Sequence, residues 1–325
     1  MKPFLKFFYR LVLLLIIAFV IFFFWASSAT LDEIEYAQII EDDTIEVPVH
    51  DSVFSILTYN IGYLSGMTNN LPVAKPKELF DDNMAKVLSE TKKVNPDIIA
   101  FQEIDYNASR SYHINQQEEI AKLGYGYRAQ TINWDERYLP FPYWPIAMNF
   151  GKVVSGQSII SKYPLKEQQR IVLSRVADEP YYRDVFYLER LAQVVKVGLN
   201  DKEVILINTH LEAFDKGTRE KQFEEVLKIF DTYKDTYPTI LLGDFNSSAT
   251  DETAIVQKVF AMNTIGNAAF DLLYLENTFN SEEPYERIDY IFYTKNSVEY
   301  ISGKVLTEFG QASDHLPIFM EFKLK

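Results

Sequence analysis

Along most of the chain, apolar residues come in short runs that end abruptly on polar side chains. The runs SILTY (55–59), DIIAF (97–101), EVILI (203–207), TILLG (239–243) and DYIFY (289–293) are of this kind. Their length and their content of Ile, Leu, Tyr and Phe predict buried strands. Two segments switch to helical spacing. Met84, Val87 and Leu88 form one apolar face, and Phe223, Val226, Leu227 and Phe230 recur at intervals of three and four. Buried strands interspersed with amphipathic helices predict an α/β (α+β) domain of layered sheets flanked by helices. No stretch within 51–325 has the composition of a linker, so the body reads as one domain.

The N-terminus follows a different pattern. Leu11 to Ala26 is sixteen apolar residues without a charge. With Ser27 to Thr30 it spans about 30 Å as a helix, the thickness of a bilayer core. Lys2, Lys6 and Arg10 precede the run, and Asp32, Glu33 and Glu35 follow it. The positive-inside rule then keeps the N-terminus cytoplasmic and exports the rest. Residues 1–30 are therefore expected to be a transmembrane anchor. The alternative is a cleaved signal with small residues at Ala26, Ser27 and Ser28, which the bulky Phe22, Phe23, Phe24 and Trp25 crowd. Both readings place the body outside the cytoplasm. Residues 31–50, polar and acidic, are expected to be a tether.

Composition narrows the chemistry. The chain has 32 Lys and Arg against 46 Asp and Glu, a net charge of −14. Three of the positive charges sit before the apolar run, so the body is more acidic still. A general polyanion-binding surface is excluded, because that needs clustered Lys and Arg. With no Cys, disulfides, thiolate zinc sites, iron–sulfur clusters and a Cys nucleophile are excluded.

The polar residues at the ends of the runs are of a restricted kind. Asn60 follows the first run; Gln102 and Glu103 follow the second; Asn208, Thr209 and His210 the third; Asp244 and Asn246 the fourth. Asp289 begins the fifth run, and Asp314–His315 precede the last strand. Strand tips are where side chains from several strands converge. Each residue alone has an ordinary reading: Asn60 as a turn, Glu103 and Asp289 as strand ends, Asp244 and Asn246 as an Asx-turn, His210 as a structural imidazole, Asp314 and His315 as a loop pair. The joint pattern is more specific than its parts.

In order, the chain carries LTYNIG (57–62), IIAFQEID (98–105), INTHLE (207–212), ILLGDFNS (240–247), RIDYIF (287–292) and SDHLPI (313–318). This series resembles the endonuclease/exonuclease/phosphatase superfamily over essentially all of 51–325. The resemblance implies a four-layered sandwich, two mixed β-sheets face to face with helices outside, and Mg²⁺-dependent hydrolysis of a phosphoester. It also implies roles. Glu103, with Asn60 beside it and Asp314 as a further acid, would hold the metal. Asp244 and Asn246 would orient or deprotonate the attacking water. His315 would be the catalytic imidazole, Asp289 the acid holding its ring, and His210 the second imidazole, contacting phosphate oxygens. Gln157 stands where the family commonly has a phosphate-contacting Asn. Gly62 stands where AP endonucleases have a second acid, and together with His210 it directs the resemblance away from that branch.

The chemistry is consistent with these residue types. Phosphoester hydrolysis needs a cation on the phosphoryl oxygens, a positioned water and a proton acceptor. Carboxylate and amide oxygens select Mg²⁺, or Mn²⁺ or Ca²⁺, over Zn²⁺. A His titrating near neutrality, with a carboxylate on its far nitrogen, suits proton transfer. The aromatic stretch Trp134 to Phe150 is read as a loop packed on the sheet, with a lipid- or base-contacting wall as the alternative. Arg183, Arg190 and Arg219 are read as surface charge, with phosphate contact as the alternative. The expected activity is a membrane-tethered, extracytoplasmic phosphoesterase on lipid headgroups or small phosphoesters. An exported nuclease acting on nucleic acid is the second reading. A non-catalytic module is disfavoured by the intact set of acids and imidazoles.

Overall fold

The computed structural model describes residues 2–48 and 52–325; the boundary expected between 50 and 51 lies outside the described residues. Two mixed sheets face each other. The first runs β1 (Ala37–Glu41), β4 (Tyr127–Leu139), β5 (Gly151–Ser161), β3 (Ile98–Asp105), β2 (Phe54–Asn60), β13 (Ile318–Leu324) and β12 (Val298–Val305). The second runs β10 (Ile265–Asn267), β11 (Asp289–Thr294), β9 (Thr239–Asp244), β8 (Lys202–His210), β7 (Leu191–Leu199) and β6 (Leu165–Val172). All five runs expected as strands are strands.

The runs lack polar alternation because both of their faces are covered. On β2, Phe54 and Ile56 enter the core between the sheets, where they meet Leu206, Ile240 and Ile291. Leu57 and Tyr59 face the other way, against Phe80, Met84 and Val87 of helix α2 (Lys77–Val94). The short helices α3 (Gln116–Ala121) and α4 (Tyr181–Asp184) follow in the chain. Helix α5 (Lys216–Tyr233) covers the second sheet with Phe223, Val226 and Phe230, and α6 (Gln257–Phe260) adds Val259. Each such large apolar side chain contributes about 1.5–3 kcal/mol by burial. This is the expected four-layered sandwich.

The N-terminal helix α1 (Lys2–Ala26) precedes the sandwich, and Pro3–Ala26 is long and apolar enough to cross a membrane, with its apolar side chains largely exposed. The tether expected over 31–50 is in part structured. Thr30 and Leu31 donate backbone N–H groups to the Asp135 carboxylate at 2.9 Å, Glu33–Tyr36 form a helical turn, and β1 pairs antiparallel with β4, Ala37 opposite Thr131. The half-buried Ile39 packs on the core, so part of the acidic stretch adds an edge strand to the first sheet instead of hanging free.

The two ends of the sandwich differ. Strands β2, β3, β8 and β9 run toward one end, and β5, β7, β11 and β13 start from it. The connections there are long: 61–76, 106–115, 140–150, 173–190 and 268–288. At the opposite end, 162–164, 200–201 and 295–297 suffice. The polar strand tips all lie at the long-loop end.

Candidate active site

The pocket is the top layer of the core between the sheets. With a period of two, Ile56, Thr58 and Asn60 share one face of β2; Leu206, Asn208 and His210 share one face of β8; Ile240, Leu242 and Asp244 share one face of β9. The lower rungs are apolar core. The middle rung is a buried amide network: Gln102 Nε2 donates to Asn208 Oδ1 at 2.7 Å and Thr58 Oγ1 at 3.2 Å, and Asn208 Nδ2 donates to the Phe101 carbonyl at 3.0 Å and Gln193 Oε1 at 3.1 Å. This network ties the two sheets together under the top rung, where the reactive groups stand.

On one side, His315 Nδ1 lies 3.0 Å from Asp289 Oδ2, and its Nε2 lies 3.7 Å from Asp244 Oδ2. Asp289 and Asp244 are directly opposed across β11 and β9. Burial works against a charged His315, yet Asp289, Asp244 and the hydrogen bond to Asp289 carry its pKa well above the ordinary value. These partners favour the protonated ring. Burial, and then the charge of Asp289, push Asp244 up to about 7. Asp244 is positioned by Asn60 Nδ2 at 2.9 Å and by the Asn246 N–H at 2.9 Å.

On the other side, His210 Nε2 lies 3.5 Å from Asp244 Oδ2 and 2.8 Å from Arg190 Nη1. Guanidinium can only donate, so Nε2 accepts and the ring is neutral. Burial first, then Arg190 and His315, hold its pKa well below the ordinary value. The 3.5 Å contact with Asp244 is thus not an ion pair. Arg190 is held in turn by Glu212 at 3.4 Å, and Tyr187 Oη donates to the same carboxylate at 2.8 Å.

Glu103 and Asp314 face each other across Asn69, whose Nδ2 donates to Glu103 Oε2 at 2.9 Å and to Asp314 Oδ1 at 3.3 Å. Burial and then the Asp314 charge raise the pKa of Glu103. Two carboxylates bridged only by a neutral amide are a hard-oxygen donor set whose repulsion a divalent cation would relieve, so these residues fit such an ion. The tightest His/Asp/Glu trio among the described residues is another one, Asp244, Asp289 and His315 within 4.8 Å. Its imidazole is bonded to Asp289, an arrangement suited to proton transfer. Asn60, expected beside Glu103, turns its amide to Asp244 and accepts from the Gly62 N–H at 3.1 Å, so it stands between the two halves. A Cβ on Gly62 (φ +54°) would come 2.8 Å from Asp314 Oδ1, which explains why no acid fits there.

The structure thus gathers Asn60, Glu103, His210, Asp244, Asn246, Asp289, Asp314 and His315 around one pocket. Gln157, expected at the phosphate, is fully buried on β5; its Nε2 donates to the Asn208 carbonyl at 3.0 Å, and its Oε1 has no hydrogen-bond partner. Arg190 is corrected, from surface charge to a buried partner of His210. Arg183 is exposed and paired with Glu179. Arg219 binds the Glu212 and Ala213 carbonyls and, with Lys216 and Asn246, lines a cleft of about 310 Å³. Asn69 went unnoticed because no pattern surrounds it in the Asn-Asn step 69–70.

Comparison with known proteins agrees with this geometry. The profile of the Endonuclease/Exonuclease/phosphatase family matches residues 57–315. A UPF0294 protein of Vibrio cholerae is 29% identical over 150 residues, 45% of this chain and 48% of that protein. The CCR4-Not complex 3'-5'-exoribonuclease subunit Ccr4 of Mycosarcoma maydis is 24% identical over 360 residues, 84% of this chain and 50% of that protein. The chain spans about half the length of these curated relatives. Among solved structures, the human Nocturnin catalytic domain superposes with a TM-score of 0.59 at 19% identity, covering 91% of this chain and all of that one. The mannosyl-6-phosphatase Bt3783 of Bacteroides thetaiotaomicron does so at 0.56 and 18%, covering 83% and 99%. At these identities the superpositions speak for the fold.

Proposed function

The chain belongs to the endonuclease/exonuclease/phosphatase family; on that premise we propose that it is a metal-dependent phosphoric ester hydrolase, a membrane-tethered, extracytoplasmic, Mg²⁺-dependent phosphoesterase of lipid headgroups or small phosphoesters. The observation that carries the hydrolytic reading is the buried Asp289–His315–Asp244 group facing Glu103 and Asp314 across one pocket. Glu103 and Asp314 would hold the cation, with Asn60 beside them. A bound divalent ion supplies charge neutralisation at the phosphoryl oxygens. Asp244, poised near neutrality and oriented by Asn60 and Asn246, accepts the proton of the attacking water. His315, kept cationic by Asp289, stabilises developing charge and gives a proton to the leaving oxygen. His210 and Arg190 present a neutral ring and a buried cation to the phosphate. Helix α1, with its basic N-terminal flank, supports the tether and the exported body.

The test is turnover by the full chain in nanodiscs on bis-p-nitrophenyl phosphate, sphingomyelin, glycerophospholipid and polynucleotide, with Mg²⁺ and with EDTA. We expect hydrolysis of a small diester or a lipid, abolished by EDTA and restored by Mg²⁺. Activity untouched by EDTA would refute the mechanism. The likeness to Ccr4 over most of this chain favours a second reading, an exported nuclease. Cleavage confined to polynucleotide, with affinity falling steeply between low and physiological salt, would establish that reading instead.

A further inference from the structure

We propose that the long-loop end of the sandwich is a membrane-docking surface, so that the catalytic pocket opens onto the bilayer that α1 crosses. The inference rests on the reading of α1 as an anchor and names the partner surface of the proposed site: the lipid–water interface.

The first observation is how α1 meets the body. Its last turns do not trail off. Phe22 packs on Tyr138 with ring centroids 5.7 Å apart, Phe23 packs on Phe186 at 5.5 Å and on Tyr181 at 6.2 Å. Ala26 is buried with Leu139, Phe150 and Val153. The next residues are pinned to β4: the Ser28 carbonyl accepts from the Arg137 N–H at 3.0 Å, and Thr30 and Leu31 donate to Asp135. The helix therefore leaves the body at a fixed place, with no slack for the domain to tumble.

The second observation is where that place is. Ala26 clusters with Leu139 and Phe150, which bracket the 140–150 connection, and β4 ends at the same end of the sheet at which β2 and β3 deliver Asn60 and Glu103. The exit of α1 and the mouth of the pocket thus share one end of the sandwich.

The third observation is what the loops of that end expose. Trp144 is 76% exposed and Phe214 84%; Tyr143, Ile146, Tyr181 and Leu273 are exposed as well. Phe214 follows His210 by four residues, and Leu273 lies in the connection that leads to Asp289, so the exposed apolar residues belong to several of the loops that carry the site residues. By contrast, Val47 and Met262 are the exposed large apolar residues in connections at the opposite end, among the described residues. Trp and Tyr are the side chains that settle at the headgroup level of a bilayer. The strong negative charge of the chain argues against docking by attraction to anionic lipid and favours apolar insertion of this rim. Because α1 already holds the domain at the surface, weak insertion is enough to orient it.

The experiment uses the full chain in phosphatidylcholine vesicles with and without brominated acyl chains, and compares it with Trp144→Phe. Trp134 is largely buried against Phe150 and Trp25 lies in α1, so the difference between the two proteins isolates Trp144. We expect Trp144 to be quenched by brominated lipid. We also expect Trp144→Ser/Ile146→Ser to keep turnover of soluble bis-p-nitrophenyl phosphate within about twofold, while losing tenfold or more on a phosphoester presented in the vesicle. A Trp144 signal indifferent to brominated lipid would overturn the proposal, as would equal losses on soluble and vesicle-borne ester. If the wild type hydrolyses neither ester, the hydrolase reading fails, while quenching still decides the docking. Release of the chain from vesicles by carbonate wash would instead show that α1 is no anchor.

Discussion

His210 and His315 stand on either side of one carboxylate, with Asp244 Oδ2 at 3.5 and 3.7 Å, yet their surroundings drive them to opposite charge states. Burial disfavours the charged ring in both. At His315, Asp289 and Asp244 overcome that penalty; at His210, Arg190 adds to it. The difference shows that the pocket's division of labour is written in the partners of its rings and not in the rings themselves. One imidazole sits among carboxylates that favour its cation, and the other is backed by a guanidinium that disfavours it.

The largest effect should follow from removing the charged half. His315→Ala or Asp244→Asn should lower kcat at least about a hundredfold on a soluble diester, the scale of lost acid–base catalysis. His210→Ala should cost less and fall mainly on KM. Steady-state kinetics of the three variants would break the comparison if His210 and His315 proved interchangeable, with equal losses in the same parameter.

An intermediate effect isolates the partner of His210. Arg190→Met leaves the ring in place and removes the cation that donates to it. A lost charge-assisted hydrogen bond is worth about 1.5–3 kcal/mol, so KM should rise by about tenfold or more while kcat changes less. The His210 ring should then titrate at higher pH, visible by NMR because the chain has only four His. Arg190→Lys, which keeps the charge but not the fork, should recover part of the loss. An unchanged KM together with an unmoved His210 titration would mean that Arg190 only braces Glu212.

The charged half was legible in the sequence, and of the neutral half only His210 was. Asp244, Asp289 and His315 each sit at the end of an apolar run, and a buried strand tip is a local signal. Arg190 also borders a run, at the start of β7, but nothing around it shows that a neighbouring strand places His210 twenty residues away within 2.8 Å. Asn69 depends on a loop bringing it between residues 34 and 245 positions distant. Gln157 was read from its neighbours in the chain, whereas its direction is fixed by the pleat of β5, which turns it onto the Asn208 carbonyl. Strand β1 was hidden because an edge strand of five residues, four half-buried and one exposed, carries little apolar signal. The sandwich itself was legible because its central strands are covered on both faces. What sequence withheld was long-range pairing, which register and loop closure decide.

The smallest effect on catalysis, and the cleanest test of burial alone, lies outside the pocket. Glu136 is buried on β4 beside Asp135, and its Oε2 lacks a hydrogen-bond partner. Burial, then the Asp135 charge, push its pKa up to about 8 against the weaker pull of Arg175. A carboxyl whose folded pKa exceeds its unfolded one holds a proton in the native state that the unfolded chain releases. Its contribution is therefore greatest below the unfolded value and is lost as pH rises toward 8. Glu136→Gln, which cannot ionise, should gain stability over the wild type by on the order of 3 kcal/mol between pH 5 and pH 8, with turnover nearly unchanged. Denaturant melts of both proteins at the two pH values read this directly. A stability difference that does not grow with pH would mean that Glu136 has a counter-charge comparable to those of His315, and that burial does not govern it as it governs His210.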